Sequence, residues 1–151
     1  MTRRFLRLWC ALWVCLLAPV AAGAAVLSEA DARAVRQVVQ DQLDAFASDD
    51  AERAFSYASP SIRARFGDAA TFMAMVRSGY PMVVRHAAVS FFRPRADDGD
   101  DANAAAVRQV VQLRDRDGRL WLATYLLERQ PGIGWRIGGC VVTSDDGRSS
   151  T

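Results

Sequence analysis

Residues 104–142, AAAVRQVVQLRDRDGRLWLATYLLERQPGIGWRIGGCVV, decide the fold. From Ala104 to Arg114 the side chains alternate. Ala105, Val107, Val111 and Leu113 fall on one face, and Arg108, Gln112 and Arg114 on the other, which is the period of a half-buried strand. Gln109 is the exception, a polar residue on the apolar side. Asp115-Arg116-Asp117-Gly118 is a tight-turn signal. Arg119 to Glu128 reads as the next strand and is apolar on both faces, so it is either covered on both sides or carries an exposed patch. Pro131-Gly132 turns the chain again, and Trp135 to Val142 is the last strand, with Gly138-Gly139 marking a bulge or a close backbone approach. Upstream, Val83 to Phe92 reads as a strand as well. Consecutive strands joined by turns imply an antiparallel meander of four.

Ahead of the sheet the period changes to that of a helix. Ser28 opens the first helix, with Asp31 three residues on as in a capping box. Val35, Val38, Val39, Leu43 and Phe46 form one apolar stripe, and Arg33, Gln37, Gln40 and Asp44 the opposite side. Gln42 falls inside the stripe, where a polar side chain must find a partner or line a cavity. Asp49 with Glu52 predicts a capped short helix running to about Ala58. Ser59-Pro60 predicts another, carrying Ile62 and Phe66 and stopping at Gly67. Asp68 caps a fourth, buried through Phe72, Met75 and Val76 and ended by Gly79, after which Tyr80-Pro81 calls for extended backbone. Helices followed by such a sheet make an α+β domain.

The first 24 residues read as an export signal. Arg3, Arg4 and Arg7 form a positive start, Leu8 to Val20 an apolar run, and Ala22-Gly23-Ala24 a small-residue cleavage site. Cleavage after Ala24 is expected, with Ala22 the runner-up. The apolar run is ~13 residues, against the ~20 that a spanning helix needs. The whole chain of 151 residues has a net charge of +2, from 19 basic and 17 acidic residues. Removing Arg3, Arg4 and Arg7 leaves 16 basic against 17 acidic, or −1. That excludes a basic field for nucleic acid, and no membrane association is expected once the signal is gone. Cys10 and Cys15 leave with the signal, so Cys140 stands alone, expected buried and inert in an apolar strand. The domain is then 25–143, with 144–151 a polar, loose tail, in a periplasmic or secreted protein.

The stretch QLDAFASDDAERAFSYASPSIRARFGDAATFMAMVRSGYPMVV (42–84), followed by a meander ending GWRIGGCVV, resembles the bacterial family called domain of unknown function 4864. The likeness runs from about Val35 to Val142. Gln42 with Phe46, Ala54-Phe55, Ala58-Ser59-Pro60, Phe72 with Met75-Val76, Tyr80 and Trp135-Arg136-Ile137 with Gly139-Cys140 carry it. The element order is similar to the nuclear transport factor 2-like cone, in which N-terminal helices pack on a curved four-stranded antiparallel sheet. What the resemblance implies is that fold and a pocket between the long first helix and the concave sheet face. Some proteins of that fold bind small molecules in the pocket and others bind proteins, so the likeness implies no activity.

Candidate site residues follow from the polar and aromatic exceptions. Gln42, Gln109, Trp121 and Tyr125 are candidates for ligand binding. For Gln42 a strut, bonded to backbone or to Gln109, is the competing role. Asp41, flanking the stripe, and His86, the one His, are the candidates for acid–base catalysis in an isomerase, cyclase or dehydratase site. Strand alternation places His86 with Ser90, away from the apolar side. Asp97-Asp98-Gly99-Asp100-Asp101 lacks the ligand spacing of a calcium loop and reads as a solvated hairpin. With no phosphate loop, nucleophile elbow or metal-ligand cluster, no cofactor and no metal are expected. The reading is a non-catalytic domain that takes a small apolar ligand or a protein partner, with a pocket enzyme as the alternative. Pairing of two copies through the two-faced strand Leu120 to Leu127 is a third expectation.

Overall fold

The computed structural model describes residues 27–97 and 106–145. The segment expected to be an export signal, the acidic run after Asp97 and the residues beyond Asp145 lie outside the described residues. Five helices precede or flank the sheet: α1 Glu29–Ala47, α2 Ala51–Ser56, α3 Pro60–Phe66, α4 Ala69–Gly79 and α5 Pro81–Val84. Five strands follow: β1 Ala88–Phe91, β2 Arg95–Ala96, β3 Ala106–Arg114, β4 Leu120–Gln130 and β5 Gly134–Ser144. The architecture is α+β, with N-terminal helices followed by an antiparallel sheet packed against α1. No helix among the described residues is long and apolar enough to cross a membrane.

Local chemistry sets the helix starts. The Asp31 amide donates to Ser28 Oγ at 3.0 Å while Ser28 Oγ donates to Asp31 Oδ2 at 2.7 Å, a reciprocal cap on α1. Ser59 caps α3 ahead of Pro60, and the Thr71 amide donates to Asp68 Oδ1 at 2.7 Å to cap α4. At α2 the expectation is off by one residue. Asp50 is the cap, accepting from the Arg53 amide at 3.0 Å, and Asp49 turns the chain with a left-handed φ of 61°. The buried face of α4 is Ala69, Phe72, Met73 and Val76, so Met73 takes the place expected for Met75, which is only partly buried.

The strand expected over Val83 to Phe92 is corrected. Pro81 has the φ of a first helical residue, and one turn of helix, α5, forms instead. It drops Val83 into the core at 3% exposure before the chain extends at Ala88. The sheet order is β1-β3-β4-β5, with β2 also pairing β3. β1 lies against Val111–Arg114 and β2 against Val107–Arg108, so the two are one edge strand broken at Phe92–Pro94. This is why a sheet expected to have four strands has a short fifth. β5 runs on to Ser144, two residues past its expected end, and the Asp145 amide donates to the Leu120 carbonyl. The register shift between Leu126 and Leu127 is the bulge that Gly138-Gly139 announces.

α1 lays Val35, Val39, Leu43 and Phe46 on one face of the sheet, in one core with Val107, Val111, Leu113, Ala123, Leu127 and Ile137. The free edge of β5 is also held. The Ser59 amide donates to the Ile137 carbonyl at 2.8 Å and the Ile137 amide to the Tyr57 carbonyl at 2.9 Å, which ties the α2–α3 joint to the sheet. On the opposite face no described helix packs. Leu120 is 38% exposed there and Val141 65%, so the two-sided apolar character of β4 leaves exposed apolar surface at these positions.

One polar cluster joins the start of α1 to the β4–β5 hairpin. Asp31 accepts from Trp135 Nε1 at 3.1 Å and from the Arg129 guanidinium, which lies 4.7 Å from the Trp135 ring centre. Hydrogen bonds from Ser28 and then Trp135 hold the Asp31 carboxyl below its ordinary 3.8. A depressed carboxyl stabilises the fold at pH above its unfolded value and loses that contribution as pH falls through the folded one. Asp31→Asn is therefore expected to lower Tm at pH 7, with the gap to the native protein closing as Asp31 is protonated. Thermal melts from pH 7 down into the acid range check this, and a gap constant with pH would contradict it.

Candidate functional site

A cavity of about 430 Å³ lies between the helical layer and the β4–β5 side of the sheet. α1 contributes Gln42 and Phe46, α3 contributes Ile62, Arg65 and Phe66, and α4 contributes Phe72, Met75 and Val76. The sheet contributes Tyr125 from β4 and Ile137, Gly138, Gly139, Cys140 and Val142 from β5. The volume is within the ~300–1,000 Å³ usual for small-molecule pockets, and the walls are mostly apolar, as such sites are.

Phe72 organises one wall. Its ring centre lies 6.1 Å from Phe46, 5.3 Å from Phe55 and 5.6 Å from Phe66, the last edge-on. These contacts bind α1, α2, α3 and α4 to one another at the side of the cavity. The capped, short α2 and α3 make this possible, because each turn redirects the chain around Phe72.

The polar residues are unevenly satisfied. Gln42 is buried, and its Nε2 donates to the Ala54 carbonyl at 3.1 Å, so it braces α1 against α2 while also lining the cavity. Its partner is thus backbone of α2 and not Gln109. Tyr125 is 1% exposed and its hydroxyl has no hydrogen-bond partner. Burial pushes its ionisation well above the usual tyrosine value. The Cys140 thiol, its cross-strand neighbour, meets it too loosely for a well-formed hydrogen bond but adds to that shift through its charge and a weak sulfur contact. Burial likewise pushes the Cys140 thiol up to about 12, with Tyr125 pulling the other way. Cys140 is partly buried and lines the cavity, so it is more accessible than expected, yet it has almost no thiolate at neutral pH.

The remaining candidates stand elsewhere. Gln109 is fully buried and pairs across the strands with Tyr125, but it does not line the cavity. Its Nε2 donates to the Phe92 carbonyl at 2.7 Å and the Val110 carbonyl at 2.8 Å, stitching the break between β1 and β2. Its Oε1 is buried without a partner. Trp121 is partly buried at the β3–β4 turn, where its Nε1 donates to Asp115 Oδ2 at 2.9 Å. Asp41 faces α2, accepting from Gln37 Nε2 at 3.0 Å and lying 3.7 Å from the Arg53 guanidinium. His86 is in the turn after α5, not on a strand, and its Nδ1 donates to the Val83 carbonyl at 2.7 Å. Neither Asp41 nor His86 is among the residues lining the cavity. Asp97, the one described residue of the acidic loop, pairs with Arg108. No cluster able to hold a metal ion occurs among the described residues.

Sequence reasoning missed Arg65 and Cys140 as lining residues. The spacing of Tyr125 and Cys140 carries no mark of their pairing, which depends on the hairpin register and the bulge. Arg65 lies on a two-turn helix too short to show a periodic face.

Residues 28–150 match the family described as Domain of unknown function (DUF4864). The chain belongs to that family. No curated protein matches it, and no solved structure does. The family description supplies no activity, so the cavity itself carries the functional argument.

A hydroxyl buried with no partner costs free energy, whereas a phenyl ring of the same shape does not. Tyr125→Phe is expected to stabilise the ligand-free protein by up to about 1 kcal/mol. Denaturant unfolding of both proteins measures the difference, and a clear loss of stability would show that the hydroxyl is already satisfied.

Proposed function

We propose that this is an exported, non-catalytic binding protein that holds one small, largely apolar molecule in the cavity beneath α1. An apolar cavity lined by Tyr125, whose hydroxyl is buried without a well-formed hydrogen bond, carries the reading. An occupant with one hydrogen-bonding atom would satisfy that hydroxyl, while its apolar body would meet Phe46, Phe66 and Phe72. Gln42, already bonded to Ala54, keeps a carbonyl oxygen and a second N–H for the same task. Export rests on residues 1–24. We read the architecture as the nuclear transport factor 2-like cone, a reading supported by the order of helices then meander and by a cavity between α1 and the concave face.

The pocket-enzyme alternative requires an acid–base group at the cavity. Asp41 and His86 are engaged elsewhere, and the lining includes Arg, Tyr and Cys but no Asp, Glu or His. That favours binding over proton transfer.

Val142 lines the cavity from β5 and is only partly buried, so a larger side chain there enters the void. Protein purified natively from the periplasm is expected to carry a small molecule detectable by mass spectrometry. Val142→Phe is expected to lose that molecule while its Tm equals or exceeds that of the ligand-free native protein. Repeatedly ligand-free native protein, with no thermal stabilisation by lipids or aromatic acids, would contradict the proposal.

A further inference from the structure

We infer that the occupant of this cavity is an anionic amphiphile, a monocarboxylate whose apolar body lies inside and whose charged end is held at Arg65. The inference rests on the binding reading above and adds the chemical class of the ligand. Arg65 is the one charged side chain among the lining residues. It is exposed, so it stands where the cavity meets solvent. Its guanidinium lies 5.9 Å from the centre of the Phe66 ring, and Phe66 is itself part of the apolar wall. Charge and hydrophobic surface thus meet at one edge.

Two arginines on the preceding and following helices, α2 and α4, show what Arg65 lacks. Arg53 faces Asp41 and Arg77 pairs with Asp49. Arg65 has no carboxylate partner among the described residues, and no Asp or Glu lines the cavity to neutralise it. The other polar side chains on the lining are Gln42, Tyr80, Tyr125 and Cys140, none of them a cation. A carboxylate placed there would be desolvated without a counter-ion, which is costly. At Arg65 it would keep part of its hydration and gain a planar guanidinium suited to two parallel hydrogen bonds. The orientation follows: charged end outward, apolar end inward. Because Arg65 is exposed, the gain is bounded by solvent screening, to about fivefold in affinity at low ionic strength.

Two matched pairs separate charge from shape: decanoate with decanol, and naphthylacetate with naphthylethanol. Each is titrated by calorimetry into the native protein and into the Arg65→Gln and Arg65→Lys variants. The expected result is that the acid of at least one pair binds about fivefold tighter than its alcohol. Arg65→Gln should abolish that preference and leave the alcohol unchanged, Arg65→Lys should retain part of it, and salt should erode it. Which pair binds tells a flexible chain from an aromatic body. Alcohols that bind as tightly as their acids, or an Arg65→Gln loss equal for both, would overturn the charge assignment and leave the binding cavity standing. Failure of all four compounds to bind would overturn both.

Discussion

Val35, Val39, Leu43 and Phe46 lie along one stripe of α1, and their burial against one face of the sheet is the contact on which the rest of the molecule depends. A four-strand meander exposes two faces, and a lone sheet in water needs at least one covered to be stable. α1 covers the part over β3 and β5, and Trp135 and Arg129 anchor its first turn through Asp31. The short helices α2 to α5 then complete the layer. They are joined by caps and turns, so they cannot lay a continuous stripe on β4 and β5. The cavity is what their geometry leaves uncovered, held open by the Phe72 cluster on one side and the bulged backbone at Gly138 on the other.

Across that buried face runs a polar row that burial alone would not select. Gln109, Tyr125 and Cys140 stand side by side on β3, β4 and β5. Gln109 has a structural occupation, because the broken edge strand leaves the Phe92 carbonyl to be satisfied. Gln42 likewise ties α1 to α2. Tyr125 has no strut role, its hydroxyl meets only the weakly hydrogen-bonding Cys140 sulfur, and it alone of the tyrosines is fully buried. Departures from a consistent apolar core without local compensation are expected where a site, and not the fold, sets the residue.

Much of this was legible in the residues because the deciding signals were local. Ser28, Ser59 and Asp68 are caps by their own chemistry, and the alternation from Val107 to Leu113 fixed which side of β3 is buried. Gln42 stood out because it violates a helical stripe. Where a tertiary effect outweighed local preference, reading failed. Met82, Val83 and Val84 favour a strand by composition, but Pro81 and the buried pocket for Val83 make one helical turn. Trp121 and Tyr125 share a face of β4, yet Trp121 lies at the hairpin end, where Asp115 takes its indole N–H. The convergence of Arg65, Tyr80 and Cys140 on one cavity joins three distant stretches of chain, and no spacing rule connects them.

The central claim is that the Tyr125 hydroxyl is kept without a protein partner because a bound molecule supplies one. An experimental structure of protein isolated natively, without refolding or added ligand, tests it most directly. The account predicts a small molecule in the cavity with an oxygen or nitrogen within ordinary hydrogen-bond distance of the Tyr125 oxygen. A cavity that is collapsed, or a Tyr125 hydroxyl bonded to another residue of the chain, would contradict it.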